Sequence, residues 1–508
     1  MSGAPSRHVV VVGAGPAGLA AAHAAARAGA RVTVLDSADV LGGQYWRHLP
    51  ASRPAANERV LHHKWGTYRE LARALHAHPA VTVVPSAQVW SLERLDDGVR
   101  LNVLVGEPDA AGREARTFEP DALVLAPGAH DRTLPFPGWQ LPGVYSAGAA
   151  QALAKGERVA VGRRVVVAGA GPFLLPVASS LLRTGAAVVG VHEANGLGSL
   201  ARGWLDRPWE LVGAAGKAGE LAGYVRELVR HRVPWRPGEA VVAAHGDGQV
   251  EAVTIARLDP RWTPVPGTER QVEADAVAVS HGFTPRLELA IAAGCALTPA
   301  RFVVVDAAQA TSVPGVWAAG ELTGIGGADA ALAEGAVAGT AAAGGDLRAA
   351  GAARTARARD RSRGFAARIE AAHGIRGGWV HWLRDDTVVC RCEETTYGRL
   401  REVVDLTGSR ETRSVKLTSR AGLGPCQARM CGRTLQELLD DGGSGAGAPG
   451  PACEGPAPGV DRRPVVVPVR LGDLAALPAP SASPLDPSSS MTSLPTTSLS
   501  AASQPQET

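Results

Sequence analysis

The stretch RHVVVVGAGPAGLAAAHAAARAGARVTVLD, residues 7–36, has the pattern of a strand, a glycine turn, a helix and a second strand. Gly13, Gly15 and Gly18 follow the first apolar run as G-x-G-x-x-G, and Asp36 ends the second. In such a βαβ unit the glycines bring a helix N-terminus to a pyrophosphate, and the acid accepts hydrogen bonds from a ribose. Residues 7–36 therefore predict a dinucleotide-binding unit of the doubly wound α/β class.

The pattern returns 156 residues further on, at residues 163–193, as RRVVVAGAGPFLLPVASSLLRTGAAVVGVHE. Gly169 and Gly171 stand in the turn and Glu193 ends the strand, but Leu174 occupies the third glycine position. No arginine directly follows Glu193, which disfavours a 2′-phosphate and hence NADP. For this second unit, NAD, another adenine nucleotide and an empty structural fold are all left open.

Two further segments favour FAD as the ligand of the first unit. Gly43 and Gln44 follow the acid in LGGQYWR, residues 41–47, where a backbone can pass close to a ligand. Gly320 and Glu321, in GVWAAGELTGIGGADAALAEG, precede a second helix start, where a carboxylate can hold a ribityl chain and a helix N-terminus can face a flavin. Ordinary turns in an α/β core would not account for the order of these segments. The predicted FAD-binding residues are Gly13, Gly15, Pro16, Ala17, Gly18, Asp36, Gly43, Gln44, Gly128, Gly320, Glu321 and Gly327.

Four of the six cysteines lie in two short C-terminal stretches, VVCRCEETTYG (388–398) and GLGPCQARMCG (422–432). They form a C-x-C pair, a gap of 33 residues and a C-x4-C pair. Four thiolates can hold a [2Fe–2S] cluster or a tetrahedral zinc ion. Structural zinc usually takes C-x2-C to C-x4-C pairs, so C-x-C favours iron–sulfur over zinc or a redox dithiol. The predicted metal ligands are Cys390, Cys392, Cys426 and Cys431.

The surroundings of the thiols favour an anionic cluster. Arg391 and Arg429 lie inside the two motifs and Arg420 lies just upstream of the second, where positive charge favours thiolates. Pro425 predicts a helix start whose N-terminus would add the same bias. Apolar residues at helical spacing in TTYGRLREVVDLTG, residues 395–408, predict a helix that packs under the cluster.

Composition excludes several function classes. The net charge of the 508 residues is +3 without a basic stripe, so neither nucleic acid nor a membrane surface is indicated as a partner. No apolar run is long enough to span a bilayer, and the N-terminal run is too short for a signal peptide, so we expect a cytoplasmic protein. A reducing cytosol disfavours structural disulfides. No cysteine pair lies beside either glycine turn, which excludes a disulfide reductase, and no catalytic residue is assigned.

Four segments carry a resemblance to a known group. They are LAPGAHDRTLPFPGWQLPGVYSAGAAQAL (125–153), VVVAGAGPFLLPVASSLLRTGA (165–186), DDTVVCRCEETT (385–396) and KLTSRAGLGPCQARMCG (416–432). The chain is similar, from about residue 7 to residue 477, to the FAD-binding (α or A) subunits of heteromeric amino-acid and opine dehydrogenases. That group includes the A subunit of opine oxidase, the larger hydrogen cyanide synthase subunits, and the α subunits of hydroxyproline and proline dehydrogenases. The C-terminal module resembles the BFD-like [2Fe–2S] domain.

The resemblance implies a two-dinucleotide flavoprotein fold, in which an NAD-type domain interrupts the FAD domain and a small helical [2Fe–2S] domain follows. His130 and Glu321 depart from the Tyr and Asp that are commoner in the group. The implied domains are 1–125 (FAD, first part), 126–285 (second Rossmann-like), 286–345 (FAD, second part), 346–384 (helical linker), 385–445 (BFD-like), 446–477 (extended segment) and 478–508 (disordered tail).

In that group the substrate amine is oxidised on a separate flavin-dependent β subunit, and the electrons are accepted and relayed by the α subunit. The resemblance therefore implies that a β subunit is one partner, and that a small ferredoxin-like subunit is a second one. Two alternatives stay open. In the first, the chain is a free-standing NADH-dependent FAD reductase that passes electrons to a ferredoxin-like acceptor. In the second, it is a non-catalytic assembly subunit.

Overall fold

The protein is described here from a computed structural model. The structure describes residues 6–108, 110–206, 215–440, 463 and 465–475. The predicted disordered tail, 478–508, and most of the predicted extended segment lie outside the described residues.

The strands belong to two parallel sheets and several smaller antiparallel ones. In chain order they are β1 (His8–Val12), β2 (Arg31–Leu35), β3 (Val81–Val84), β4 (Ala87–Leu95), β5 (Gly98–Val105), β6 (Glu114–Phe118), β7 (Ala122–Leu125), β8 (Ala129–Asp131), β9 (Val144–Ser146), β10 (Arg164–Gly169), β11 (Ala187–Glu193), β12 (Trp235–Pro237), β13 (Glu239–His245), β14 (Ala252–Arg257), β15 (Arg270–Glu273), β16 (Ala276–Ser280), β17 (Phe283–Pro285), β18 (Val316–Ala318), β19 (Val388–Cys390) and β20 (Thr395–Thr396).

The helices cover the sheets and build the C-terminal module. They are α1 (Pro16–Arg27), α2 (Trp65–Ala77), α3 (Ala147–Gly156), α4 (Leu174–Arg183), α5 (Leu197–Leu205), α6 (Ala215–Arg230), α7 (Glu288–Ala293), α8 (Gly327–Ala342), α9 (Ala350–His373), α10 (Tyr397–Thr407), α11 (Thr412–Ser419), α12 (Gly432–Asp440) and α13 (Leu471–Ala475). Shorter 3-10 turns span Glu58–Val60, Gly320–Leu322 and Gly377–Trp382. No helix among the described residues is both long and apolar enough to cross a membrane.

The first parallel sheet has the order β18-β7-β1-β2-β3 and combines strands from two distant parts of the chain. Its central strand β1 is an unbroken valine run with buried side chains, as expected where helices cover both faces of a sheet. Helix α8 returns to this unit and packs on α1 without a spacer. A Cβ at Gly335 or Gly339 would lie 2.0 Å from the carbonyl oxygen of Ala17 or Ala21, so only glycine permits this approach.

The second parallel sheet has the order β12-β11-β10-β16-β9 and lies between the two parts of the first unit in the chain. β8 lies where the chain passes from the first unit to the second, and β17 lies where it returns. The two strands pair with each other in antiparallel fashion. The predicted α/β class, with one dinucleotide unit interrupting the other, is therefore confirmed. The residue boundaries of the domains stay predictions.

The predicted helical linker is largely helix α9, but it is packed into the structure along its length. A Cβ at Gly203 of α5 would lie 2.4 Å from Cα of Ala372, so the two helices cross in direct contact. After α9, the turn Gly377–Trp382 buries two tryptophans, and Trp382 stacks on Trp262 with ring centroids 6.0 Å apart. The chain thus reaches the cysteine module through a buried segment.

The cysteine module consists of the β19–β20 hairpin and helices α10 to α12. Leu400 and Val403 of α10 are buried, as the spacing predicts, whereas Leu406 is 75% exposed. The module is joined to the second unit by the indole of Trp139, which donates a hydrogen bond of 2.6 Å to the carbonyl oxygen of Val388. The described residues from Arg470 to Ala475, which include helix α13, belong to a second unit of the chain.

Candidate functional site

One continuous cleft of about 4330 Å³ is lined by residues of both parallel-sheet units and of the cysteine module. It opens where β1, β2 and β11 end, at the carboxyl edge at which open α/β sheets bind ligands. Nine of the twelve predicted FAD-binding residues line it. They are Gly13, Gly15, Pro16, Asp36, Gly43, Gln44, Gly128, Glu321 and Gly327.

The other three predicted residues lie beneath the cleft and build its floor. Ala17 and Gly18 are buried in α1, and a Cβ at Gly18 would lie 1.7 Å from the carbonyl oxygen of Gly13. The backbone N–H of Gly320 points to a neighbouring carboxylate, that of Glu334, at 2.9 Å. These residues shape the turn and the helix contact, and do not face the cleft.

Gly15 leaves room for a phosphate-sized group at the start of α1. Around a Cβ built on Gly15, the nearest atom outside its chain neighbours is Cα of Gly43, at 4.0 Å. No side chain caps the helix, so its first N–H groups face the cleft with the positive end of the helix dipole. The cradle fits the pyrophosphate of a dinucleotide such as FAD.

Asp36 holds the glycine turn as well as lining the cleft. Its carboxylate accepts hydrogen bonds from the backbone N–H of Ala14 and, at 2.8 Å, from that of Ala38. Burial raises the pKa of this carboxyl above its usual value, while the two N–H donors oppose the rise. Its predicted bond to a ribose stays a prediction.

Two further carboxylates are those of Glu321, in the turn before α8, and Glu334, on the helix itself. Glu321 accepts a hydrogen bond of 2.9 Å from the N–H of Gly327, and burial raises its pKa to about 7. Glu334, which sequence reasoning missed, is buried and accepts bonds from the N–H of Gly320 and from the hydroxyl of Thr323 at 2.7 Å. Its only sequence signal was an acid in the middle of an alanine-rich helix. Glu334 fixes the turn that presents Glu321 to the cleft.

In the second unit, the predicted ribose acid already has protein partners. Glu193 accepts hydrogen bonds from the N–H of Gly171 at 2.9 Å, from the N–H of Asn195 at 3.0 Å, and from Nδ1 of His373 at 3.0 Å. The indole N–H of Trp204 lies 3.2 Å from Nε2 of His373. Because an indole can only donate, Nε2 accepts this bond and Nδ1 carries the proton that His373 donates to Glu193. Gly169 lies below this site, packed against β16.

The four predicted metal ligands form two thiol pairs in the cysteine module. The thiols of Cys390 and Cys431 are hydrogen-bonded to each other, as are those of Cys392 and Cys426. The bond from Cys431 lowers the pKa of Cys390 to about 6, and the same bond with burial raises the pKa of Cys431. The described residues bring no three His, Cys, Asp or Glu side chains around a single point, and the thiols form two pairs. Two thiol pairs fit a cluster in which each of two irons takes two thiolates.

The predicted helix start at Pro425 is wrong. Gln427 and Ala428 have φ of 54° and 61°, a left-handed conformation that does not continue a right-handed helix. The chain turns around the thiols instead, and α12 begins at Gly432, directly after Cys431. The helix N-terminus therefore adjoins Cys431 rather than Cys426.

The thiols differ in exposure. Cys390 and Cys431 are buried, Cys426 lines the cleft and Cys392 is exposed at the surface. All described cysteines, including the buried Cys295 of the first unit's core, are free thiols. The thiol site thus extends from the cleft to the outside of the protein.

Arg429 ties the loop between Cys426 and Cys431 to the first unit. Its guanidinium pairs with Glu288 of α7 at 3.0 Å and donates to the carbonyl oxygens of Cys426, at 3.0 Å, and of Val466. Its own carbonyl oxygen accepts a bond of 3.2 Å from Nε2 of His130, which also lines the cleft. The other two predicted arginines have separate partners: Arg391 lies over the ring of Trp139 at 5.2 Å, and Arg420 pairs with Glu393 at 2.7 Å.

A flavoprotein oxidoreductase with an added iron–sulfur module is the class that this fold and these sites define. The sequence model of the pyridine nucleotide-disulphide oxidoreductases matches residues 7–335, and that of the BFD-like [2Fe–2S] binding domain matches residues 388–441. The chain belongs to the pyridine nucleotide-disulphide oxidoreductase family, and it is an FAD-dependent oxidoreductase with a [2Fe–2S] domain.

Within this family the chain groups with subunits of heteromeric oxidases. It is 33% identical to hydrogen cyanide synthase subunit HcnB of Pseudomonas aeruginosa, over 83% of this chain and 90% of that protein. It is 34% identical to the A subunit of opine oxidase from Rhizobium meliloti, over 92% of this chain and 87% of that protein. The resemblance predicted from the motifs is confirmed by these relatives.

The fold is also that of a solved structure, L-proline dehydrogenase from P. horikoshii. The TM-score is 0.60 at 18% sequence identity, and the similarity covers 92% of this chain and 79% of that one. At this level of identity the likeness concerns the fold alone.

Proposed function

We propose that this chain is the electron-accepting subunit of a heteromeric dehydrogenase that oxidises the CH–NH bond of an amino acid, an imino acid or an opine. A flavin-dependent partner subunit carries out the amine oxidation, and this chain receives the electrons and relays them. The full-length similarity to subunits of opine oxidase and of hydrogen cyanide synthase supports this proposal. In keeping with its free thiols, we place the complex in the cytoplasm.

The observation that carries the proposal is the continuity of the cleft. Gly15, at the predicted pyrophosphate cradle, and Cys426, a predicted cluster ligand, line the same cavity. His130 bridges the distance between them, because it lines the cleft and donates to the backbone of Arg429 in the cysteine loop. A chain that only stabilised a complex would not need both sites on one cavity.

Bound FAD would accept electrons as a pair, and a [2Fe–2S] cluster would pass them singly. The residues that would hold FAD are the glycine turn, Asp36, and the Gly320–Gly327 segment that Glu334 fixes. The thiols of Cys390, Cys392, Cys426 and Cys431 would hold the cluster. Arg429 keeps the cysteine loop against the first unit, so that the two sites stay at a fixed separation.

We also propose that the amine chemistry takes place on another subunit. No base is placed at the predicted flavin site by the sequence motifs, and Glu321, in the turn before α8, accepts a hydrogen bond from the N–H of Gly327. We therefore propose that the isolated chain turns over no amine. The partner that supplies the missing chemistry is a flavin-dependent β subunit, and a small ferredoxin-like subunit is a second proposed partner.

The test follows the visible flavin absorption of the purified holo chain under anaerobic conditions. One sample receives NADH alone. Separate samples receive proline, hydroxyproline, sarcosine, glycine or an opine, each with and without the co-purified partner. We expect bleaching when an amine and the partner are both present. Rapid bleaching by NADH alone would identify a free-standing reductase, turnover of an amine by the isolated chain would refute the division of labour, and no redox change would indicate an assembly subunit.

A further inference from the structure

The exposed edge of the cysteine site lies beside a helix whose outer face is basic. Cys392 is exposed at the surface, whereas the other three thiols are buried or face the cleft. Helix α11 packs next to this edge. The carbonyl oxygen of Ser419 at its end accepts a bond of 3.2 Å from Thr395, and Arg420 pairs with Glu393 at 2.7 Å. The residues that flank Cys392 in the chain are therefore bound to the end of α11.

We name as the basic face the exposed side of α11 formed by Arg413, Lys416, Leu417 and Arg420. Lys416 and Leu417 lie three and four residues after Arg413 and so share one side of the helix with it, and Arg420 follows the last residue of the helix with a φ of 65°. Between Thr412 and Arg420 the sequence contains three cations and no acid. Leu417, at the centre of the face, is 63% exposed, which leaves a large apolar side chain within a basic rim.

The charges of the basic face have few internal partners. Among the described residues Arg413 and Lys416 form no ion pair, and only Arg420 is paired. Helix α10 differs, because its cations are matched: Arg399 pairs with Glu402 at 2.8 Å and Arg401 with Asp385 at 3.0 Å. Two cations without an ion pair among the described residues therefore lie on the helix whose C-terminal end is bound to the segment that follows Cys392.

We infer that the basic face is the docking surface for a small acidic one-electron carrier protein of the ferredoxin type. An apolar centre within a charged rim is typical of small transient interfaces, and opposite charge steers such partners into contact. One electron would leave the cluster beside Cys392, so that one iron is oxidised and the carrier is reduced by the same electron, with no bond or proton exchanged. This inference rests on the proposed electron relay and identifies the surface at which electrons would leave the chain.

The affinity of the holo chain for an acidic plant-type [2Fe–2S] ferredoxin, measured calorimetrically at two salt concentrations, tests the surface. We expect binding that weakens as salt rises, because exposed charges are screened. Reversal of two charges, Arg413→Glu with Lys416→Glu, should weaken binding at low salt at least about tenfold. The matched control, Arg399→Glu with Arg401→Glu, should change it less than about threefold. Leu417→Ala should weaken binding at both salt concentrations, because its contribution is apolar.

Iron content and the reduced-cluster resonance are measured on each variant to show that the module is folded. If the α11 reversal leaves ferredoxin affinity unchanged, the surface is wrong. If it shifts only the reduction potential of the cluster, the cations serve the cluster and not a carrier. The cluster of the wild-type chain is also tested for reduction when amine and partner subunit are supplied. Reduction of the cluster without any ferredoxin binding would refute the surface and leave the proposed function intact. Charge-dependent ferredoxin binding by a chain whose cluster is not reduced when amine and partner are supplied would support the surface and refute the proposed function.

Discussion

Nδ1 of His373 lies 3.0 Å from the carboxylate of Glu193, so the last residue of α9 occupies one side of the second unit's predicted ribose acid. The middle of the same helix reaches the first unit, where Arg363 pairs with Glu334 at 2.8 Å and donates to Gln309 at 2.7 Å. One helix therefore contacts an acid beside each dinucleotide site. The helix then continues into the turn that leads to the cysteine module.

This contact predicts that His373 competes with a nucleotide for Glu193. His373→Ala removes one of the two donors to Oε2 of Glu193 and leaves the other, the N–H of Gly171, in place. An adenine nucleotide should then bind more tightly by about 1 kcal/mol, which is the net value of one hydrogen bond. That is about fivefold in affinity. Calorimetric titration with NAD and with ADP measures it. The control is His245→Ala, at the opposite end of β13 from Gly238, whose N–H donates to the carbonyl oxygen of Glu193. Weaker or unchanged binding in His373→Ala would mean that His373 belongs to the ligand site or that the site is empty.

Gly15→Val should abolish FAD retention. The added side chain would project into the space between α1 and Gly43, where the pyrophosphate is predicted to lie. The measurement is the flavin-to-protein ratio of the purified, folded variant. Gly351→Val, in an exposed turn of α9 where no heavy atom lies within 4 Å, is the control and should keep its flavin. A folded Gly15→Val protein with a full complement of FAD would show that the flavin binds elsewhere.

Arg429→Met should release the cysteine loop from the first unit. The variant loses the ion pair with Glu288 and the bonds to two carbonyl oxygens, and hydrogen bonds that involve a charged group contribute about 1.5–3 kcal/mol each. Amide hydrogen exchange in residues 422–432 should accelerate about a hundredfold, while iron and FAD are retained. Arg399→Met, which breaks an exposed pair in the same module, should leave that exchange unchanged. Equal protection in both variants would mean that Arg429 does not anchor the loop.

Local sequence patterns predicted the parts of the protein that depend on neighbouring residues. The strand, glycine turn and helix of residues 7–36 are encoded within one segment, and so is each close pair of cysteines. The helix over 395–408 followed from its apolar spacing, except that Leu406 points away from the core. Patterns of this kind need no knowledge of the rest of the fold.

Residues that act through distant contacts were not predictable in the same way. Glu334, His373 and Arg429 obtain their partners from segments 14 to 299 residues away, through packing that no spacing rule describes. The expected helix at Pro425 failed because the loop must turn around the thiols, which places two residues in the left-handed conformation. Tertiary packing at this loop outweighed the preference of Pro425 for the first turn of a helix.

Cys392→Ser should remove the cluster and spare the flavin. An exposed iron would lose a thiolate and become open to water, whereas the predicted FAD residues lie on other segments of the chain. Visible iron–sulfur absorption should disappear and FAD content should stay at wild-type level. Cys295→Ala, which removes a buried thiol from the first unit's core, is the control and should keep its iron.

The central claim, that the four thiols hold an electron-relaying cluster, is tested most directly by metal analysis together with electron paramagnetic resonance of the reduced protein. The account predicts about two irons per chain and a rhombic signal, and it predicts that both are lost in Cys392→Ser. One zinc per chain with no resonance signal would contradict it. The module would then be a structural clip.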